Sequence, residues 1–253
     1  MQDILIFKRI EKKYRLTAAQ KDMLLQEIGV HLVPDEHGRN TICSLYLDTP
    51  DHLLIRNSID ATIYKEKLRL RSYGIPAPDD HVFLEIKKKY KGVVYKRRVS
   101  LTLRQAMDYL SGGKRPEESQ IMSEIDYAIR FYRQPRPAMF IAYEREAYFV
   151  PELPNLRITF DTGVRFREHE LALELGTHGT QLLPDDVILM EIKTDGAMPV
   201  WLSDALGRCS LLPVSFSKYG TAYLSTLSSG NRAVLPAACI ASNEMRGETI
   251  PHV

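Results

Sequence analysis

Lysine and arginine recur at every second position in several segments of the chain, a spacing that lines them along one side of a β-strand. In Tyr64–Tyr73, Lys65, Lys67, Arg69 and Arg71 share one face, and Leu68 and Leu70 share the other with Glu66. In Val82–Tyr90, Glu85, Lys87 and Lys89 lie opposite Leu84 and Ile86, and in Val93–Leu101 the paired cations are Lys96 and Arg98. Tyr143 with Arg145, Arg157 with Thr159 and Asp161, and Glu191 with Lys193 repeat the pattern downstream, and the first strand contributes Arg9, Glu11, Lys13 and Arg15. A guanidinium fork matches phosphate oxygens bidentately. A solvated outer face accounts for one or two such strands. At least six, heavy in arginine, point to a face that binds a polyanion. If the sheet closes, that face lines its interior, where cations without an anion repel strongly. Glu11, Glu85 and Glu191 are odd choices for anion binding. They suit a divalent ion, Mn²⁺ or Mg²⁺, which bridges carboxylate to phosphate; a salt bridge to a neighbouring cation is the equal alternative for each.

The elements that must carry these residues follow from periodicity and capping. Strands are expected at Ile4–Leu16, Thr41–Asp48, Thr62–Tyr73, Val82–Tyr90, Val93–Leu101, Met139–Val150, Leu156–Arg167 and Val187–Thr194. Lys91–Gly92 reads as a hairpin turn. Helices are expected at Ala18–Ile28 behind the N-cap Thr17, at Leu103–Leu110, Glu117–Tyr132 and Val200–Gly207, and at Lys218–Leu227. About eight strands and five helices with hairpin-like links make an α+β fold, an antiparallel sheet or barrel with attached helices. Residues 1–227 read as one domain, and 228–253 as a poorly ordered tail.

Composition bounds the rest. The 253 residues hold 34 Lys+Arg against 32 Asp+Glu, a net charge of +2, and 44% are apolar. That balance argues against a nucleic-acid coat or a polybasic membrane binder. It hides an asymmetry: Tyr64–Arg98 alone holds 11 basic and 4 acidic residues. Three cysteines, Cys43, Cys209 and Cys239, give neither a disulfide framework nor metal-knuckle spacing. No secretory leader and no apolar run of membrane length is visible, so a soluble, cytoplasmic protein is expected. Serine-hydrolase, P-loop, zinc-protease and Rossmann signatures are absent from the sequence.

Nine segments in order carry a family resemblance. They are EKKYRL (Glu11–Leu16), TICSLYLDT (Thr41–Thr49), RLRSYG (Arg69–Gly74), VFLEIKKKY (Val82–Tyr90), YKRRVSL (Tyr95–Leu101), YEREAY (Tyr143–Tyr148), LRITFDT (Leu156–Thr162), LMEIK (Leu189–Lys193) and FSKYG (Phe216–Gly220). Together they resemble the catalytic domain of the vacuolar transporter chaperone (VTC) polyphosphate polymerases, within the triphosphate tunnel metalloenzyme (CYTH-like) superfamily. The resemblance implies an eight-stranded antiparallel β-barrel whose inner wall binds a triphosphate or polyphosphate chain. Lys13, Arg69, Arg71, Lys87, Lys96, Arg98, Arg145, Arg157 and Lys218 would grip phosphate, Tyr143 would assist by hydrogen bonding, and Glu191 would hold Mn²⁺ or Mg²⁺; the strand-face pattern adds Lys193 to the phosphate set and Glu11 and Glu85 to the metal set. Triphosphatases of the superfamily usually carry E-x-E-x-K on the first strand, where this chain reads Arg9-Ile-Glu11-Lys-Lys13. An additional polymerase lysine near Val93 or Val94 is missing.

The implied activity is metal-dependent transfer of the γ-phosphoryl group of ATP to phosphate, pyrophosphate or a growing polyphosphate chain. Lys13, Arg69, Arg71, Lys87, Arg145, Arg157 and Lys218 would be its catalytic cations. The attacking oxygen is already ionised, so no strong base is needed, and no histidine falls within the matched segments. Inorganic triphosphatase or nucleoside triphosphatase activity, and a non-catalytic polyphosphate or inositol-phosphate module, are the alternatives. The expected partners are ATP, polyphosphate and pyrophosphate, with no nucleic acid, and a separate membrane protein for any coupling to translocation.

Overall fold

The alternating segments become strands of one antiparallel sheet. In a computed structural model, residues 10–60, 62–91 and 93–230 are described. The start of the expected first strand with Arg9, Gly92 of the hairpin turn and the tail beyond Gly230 lie outside them. The strands are β1 (Ile10–Leu16), β2 (Val33–Asp48), β3 (Tyr64–Tyr73), β4 (His81–Tyr90), β5 (Val93–Thr102), β6 (Arg136–Val150), β7 (Leu153–Arg167), β8 (Thr180–Gln181), β9 (Ile188–Thr194) and β10 (Pro213–Val214). The helices are α1 (Ala18–Ile28), α2 (Leu53–Ile59), α3 (Leu103–Leu110), α4 (Gln120–Phe131), α5 (Val200–Arg208) and α6 (Lys218–Gly230).

The sheet runs β10-β1-β9-β7-β6-β2-β3-β4-β5, with β8 paired to β7. The α+β expectation holds, but among the described residues the hydrogen-bonded ladder does not close into the expected eight-stranded barrel. Ten strands form among the described residues because β8 and β10 are two-residue elements, too short for alternation to register. Register shifts between Pro34 and Arg39 and between Tyr46 and Leu47 in β2, and between Ala142 and Glu144 in β6, mark bulges that sharpen bending and twist. Side chains of β4 and β1 meet across the resulting concavity: Lys87 Nζ lies 3.3 Å from Glu11 Oε2.

The outer face is apolar and covered by helices. Leu45, Leu68, Leu70, Leu84, Ile86 and Phe140 pack with Ala106 of α3 and Met122 and Ile125 of α4. Leu16, Ile158, Phe160, Met190 and Ile192 pack with Leu24 and Ile28 of α1 and Leu202 and Leu206 of α5. A third cluster sits on the inner face, where Tyr46, Met139, Ile141 and Leu189 meet Ile55 of α2 and Phe216, Tyr219 and Ala222 of the α6 segment. Thr17 caps α1 as expected, its hydroxyl accepting from Gln20 N at 3.2 Å. Helix α2 was not expected. Its seven residues fall below the length at which a helical period shows, and its cap is remote: Asp48, buried at the end of β2, accepts from Leu54 N at 2.9 Å and Ile55 N at 3.0 Å. Ser119 caps α4, which therefore starts at Gln120 rather than Glu117.

Candidate functional site: a basic concave face

Cross-strand register brings the sequence-expected cations together. On β3, Lys67, Arg69 and Arg71 stand beside Tyr46 and Ser44 of β2 on one side and Glu85 and Lys87 of β4 on the other. Across the concavity stand Glu11 and Lys13 of β1, Glu191 and Lys193 of β9, Thr159 and Asp161 of β7, and Tyr143 and Arg145 of β6. Lys218, the first residue of α6, completes this side. Its Nζ lies 2.5 Å from Asp161 Oδ2 and 4.3 Å from the Tyr143 ring centroid. A pocket opens among Tyr46, Lys67, Arg69, Glu85 and Lys87. Two expected residues lie apart from this cluster. Arg98 is exposed and stacks on Phe83, 4.5 Å from its centroid, and Arg157 is exposed and ion-paired with Asp35.

Most of the cations have a carboxylate. Asp161, fully buried, accepts from Arg145 Nε at 2.6 Å and Nη2 at 2.8 Å as well as from Lys218. Burial disfavours its charge, but Lys218 and Arg145 outweigh that and hold it below the usual carboxylate range. Lys13 Nζ sits 3.1 Å from Glu11 Oε1 and 3.8 Å from Glu191 Oε2, and Lys193 pairs with the other oxygen of Glu191. Glu85 accepts from Arg69 Nε at 2.7 Å and pairs with Lys96 Nζ at 2.7 Å. Against the effect of burial, Arg69, Arg71 and Lys96 bring Glu85 down to about 2. Burial outweighs Glu85 at Lys96 and lowers that ammonium to about 8.

Two cations are held differently. Lys67 Nζ donates to Ser217 Oγ at 2.9 Å, and the buried Arg71 reaches Ser44 Oγ and Tyr143 OH, each at 3.4 Å. Neither forms an ion pair among the described residues. Burial, joined by Lys87, Lys13 and Arg69, brings Lys67 down to about 8 even though Tyr46 pulls the other way. These two positions carry charge that the fold does not neutralise, and an anion on this face would satisfy both.

Lys67 stands on the expected cationic face, though the resemblance assigns it no role. Its two-residue spacing from Arg69 was the available signal. Asp161 had been grouped with Arg157 but given no role. Tyr46 and Ser217 lie within the family-like segments but are given no role there: Tyr46 enters through the register of β2 on β3, and Ser217 through the docking of α6.

Among the described residues, no three His, Cys, Asp or Glu side chains converge on one point. Glu11 and Glu191 flank Lys13, and Thr159, in register with Glu191, has a buried hydroxyl with no partner. That donor set fits a divalent ion that draws its remaining ligands from phosphate and water, as Mg²⁺ commonly does. Glu85 is engaged by Arg69 and Lys96, as Glu11 is by Lys13 and Lys87 and Glu191 by Lys13 and Lys193.

A solved protein from Bacillus halodurans, proposed to be an adenylate cyclase, superposes with a TM-score of 0.52 at 14% identity over 83% of this chain and 95% of that chain, which shows a shared fold. A second proposed adenylate cyclase, from Vibrio parahaemolyticus, gives a TM-score of 0.49 at 14% identity over 85% of this chain and 97% of that chain. The curated proteins give no match. The family model for the VTC domain matches residues 8–227, and the chain therefore belongs to the VTC domain family, a family of polyphosphate-related phosphotransferases.

Proposed function

We propose that the protein is a polyphosphate polymerase that transfers the γ-phosphoryl group of ATP to a growing inorganic polyphosphate chain on its concave face. The observation that carries this reading is the pair Lys67 and Arg71. Both are cations facing the concavity, held only by hydroxyls and flanked by further cations. A chain of condensed phosphates carries negative charge at the spacing such a surface can use. In this reading the curled sheet works as a tunnel, with the Lys87–Glu11 contact spanning β4 and β1 where the ladder stays open.

Each residue has a task. Arg69, Arg71, Lys67 and Lys87 on one wall, and Lys13, Lys193, Arg145 and Lys218 on the other, hold the triphosphate and the acceptor chain in line and offset charge on the transferring group. Tyr143 donates a hydrogen bond. Arg98, Arg157 and Lys96 guide the chain at the rim. Glu11 and Glu191 would hold Mn²⁺ or Mg²⁺, which when bound neutralises charge on phosphate oxygens. Asp161 keeps Arg145 and Lys218 aimed inward. The acceptor oxygen is ionised at neutral pH, so no side chain has to remove its proton. Among the described residues, no helix is long and apolar enough to cross a membrane. In this reading synthesis takes place in the cytoplasm, and a separate membrane protein handles any transfer of product across a membrane.

The test is incubation with ATP and Mn²⁺, with products read by phosphorus NMR. Long-chain phosphate is expected. Orthophosphate alone would make the protein a triphosphatase, and tight polyphosphate binding without turnover would make it a binding module.

A further inference from the structure

The tyrosines of this chain divide by what their hydroxyls do. Tyr64 and Tyr132 both donate to Glu66, each at 2.5 Å, Tyr109 donates to Asp126 at 2.8 Å, and Tyr219 donates to Asp48 at 2.9 Å. Tyr46 and Tyr143 behave in the opposite way. Tyr46 OH accepts from Arg69 Nη1 at 3.2 Å, and Tyr143 OH accepts from Arg71 Nη2 at 3.4 Å. A phenol that accepts from a guanidinium still has its own hydrogen to give. Among the described residues, neither of these hydrogens has an acceptor. Both rings are buried and both hydroxyls belong to the basic face, so the missing acceptor is anionic or neutral oxygen supplied from outside the chain.

Tyr143 is already part of the proposed grip. Tyr46 is not, and it is held more firmly. Its ring stacks on Tyr219 with centroids 4.5 Å apart, and Tyr219 is itself tied to Asp48, the buried cap of α2. Tyr46 lines the pocket with Lys67, Arg69, Glu85 and Lys87. We propose that Tyr46 is a phosphate-binding residue, its hydroxyl donating to a non-bridging oxygen of a condensed phosphate seated between Lys67, Arg69 and Lys87. This deepens the polyphosphate reading and rests on it. Charges around the ring agree with a donor role. Lys13 of β1, Lys67, Arg69 and Arg71 of β3, and Lys87 of β4 surround it against Glu85 of β4 and Asp48 of its own strand, with the phenol of Tyr219 of α6 alongside. Burial opposes ionisation of Tyr46, but Arg69, Lys67 and Arg71 outweigh it and lower the phenol to about 8. An arriving phosphate adds negative charge and drives the proton back onto the oxygen.

Two measurements on the full chain test this. Tripolyphosphate affinity is measured by calorimetry at pH 7 for the natural protein and for Tyr46→Phe, which keeps the stack on Tyr219. A loss of about 10- to 100-fold is expected for a hydrogen bond to a charged group. Tyrosinate absorbance near 295 nm is followed against pH in the natural protein, with Tyr143→Phe and Tyr46→Phe assigning the transitions. The Tyr46 transition is expected to move upward when tripolyphosphate is added. Unchanged affinity in Tyr46→Phe, or a Tyr46 transition indifferent to tripolyphosphate, overturns the assignment while leaving the basic face intact. If the natural protein binds no tripolyphosphate at all, the polyphosphate reading falls and the role of Tyr46 with it.

Discussion

The two walls of the concave face handle positive charge in contrasting ways. On the β1–β9–β7–β6 wall, most inward cations have a carboxylate: Lys13 and Lys193 share Glu191, and Arg145 and Lys218 share Asp161, while Arg15 lies over the Phe216 ring. On the β2–β3 wall, Lys67 and Arg71 rest on hydroxyls, and only Arg69 has a carboxylate, borrowed from β4. A buried cation with its anion is a finished piece of structure. A buried cation without one is stability withheld until a ligand arrives. The first wall therefore keeps most of its charge balanced without a ligand, and the second leaves charge that a ligand balances.

Substitutions can break this contrast, and Glu191→Gln is expected to have the largest effect. Turnover with ATP and Mn²⁺ should fall on the order of 100-fold or more, while tripolyphosphate binding persists, because removing the carboxylate frees Lys193 for phosphate and leaves Lys13 on Glu11. Activity that survives would remove Glu191 from the metal assignment. Asp161→Asn comes next. It strands Arg145 and Lys218 in a buried position and should cost about 3 to 5 kcal/mol in urea unfolding, with part of the loss recovered when polyphosphate is added. Arg71→Met should behave in the opposite sense. The empty protein should keep or gain stability, while tripolyphosphate affinity falls by about 10- to 100-fold. A large loss of stability in this variant would mean that the two walls do not differ.

The pH dependence sharpens the same comparison. Lys67 and Lys96 lose protons near pH 8, so tripolyphosphate affinity should fall as pH rises from 7 to 9, and binding at pH 8 should take up protons, read by calorimetry in buffers of different ionisation enthalpy. Glu85, by contrast, is lowered to about 2 from an ordinary value of 4.5. Its folded value lies below its unfolded one, so its contribution to stability is present above pH 4.5 and is lost as pH falls toward 2. The smallest effect belongs outside the face. Arg104 and Asp79 pair at 3.2 Å with side chains 69% and 81% exposed, and Arg104→Ala should change stability by no more than about 0.5 kcal/mol.

Much of this face was legible because strands expose their period. Arg69, Arg71, Lys87, Lys96, Arg145, Glu191 and Lys193 needed only alternation to be assigned to one side. What alternation cannot give is the pairing between strands. Glu85 shares the parity of its neighbours on β4, and only the register shows that its partners are Arg69 and Lys96, across neighbouring strands. Arg157 shares the parity of Asp161 but ends at the exposed rim against Asp35. Lys218 was assigned by motif alone. Its place depends on α6 docking through Tyr219 to Asp48, a contact spanning 171 positions in the chain.

The sequence by itself determined the two-faced strands, the capped helices and the polyanion-matching chemistry, because these depend on side-chain type and short-range spacing. Only the tertiary structure decided that the ladder stays open while side chains bridge it, which cations keep carboxylates, and that Tyr46 faces the pocket. Those outcomes depend on register, bulge and helix docking, where a one-residue slip turns a side chain to the other face and residues far apart in the chain become neighbours.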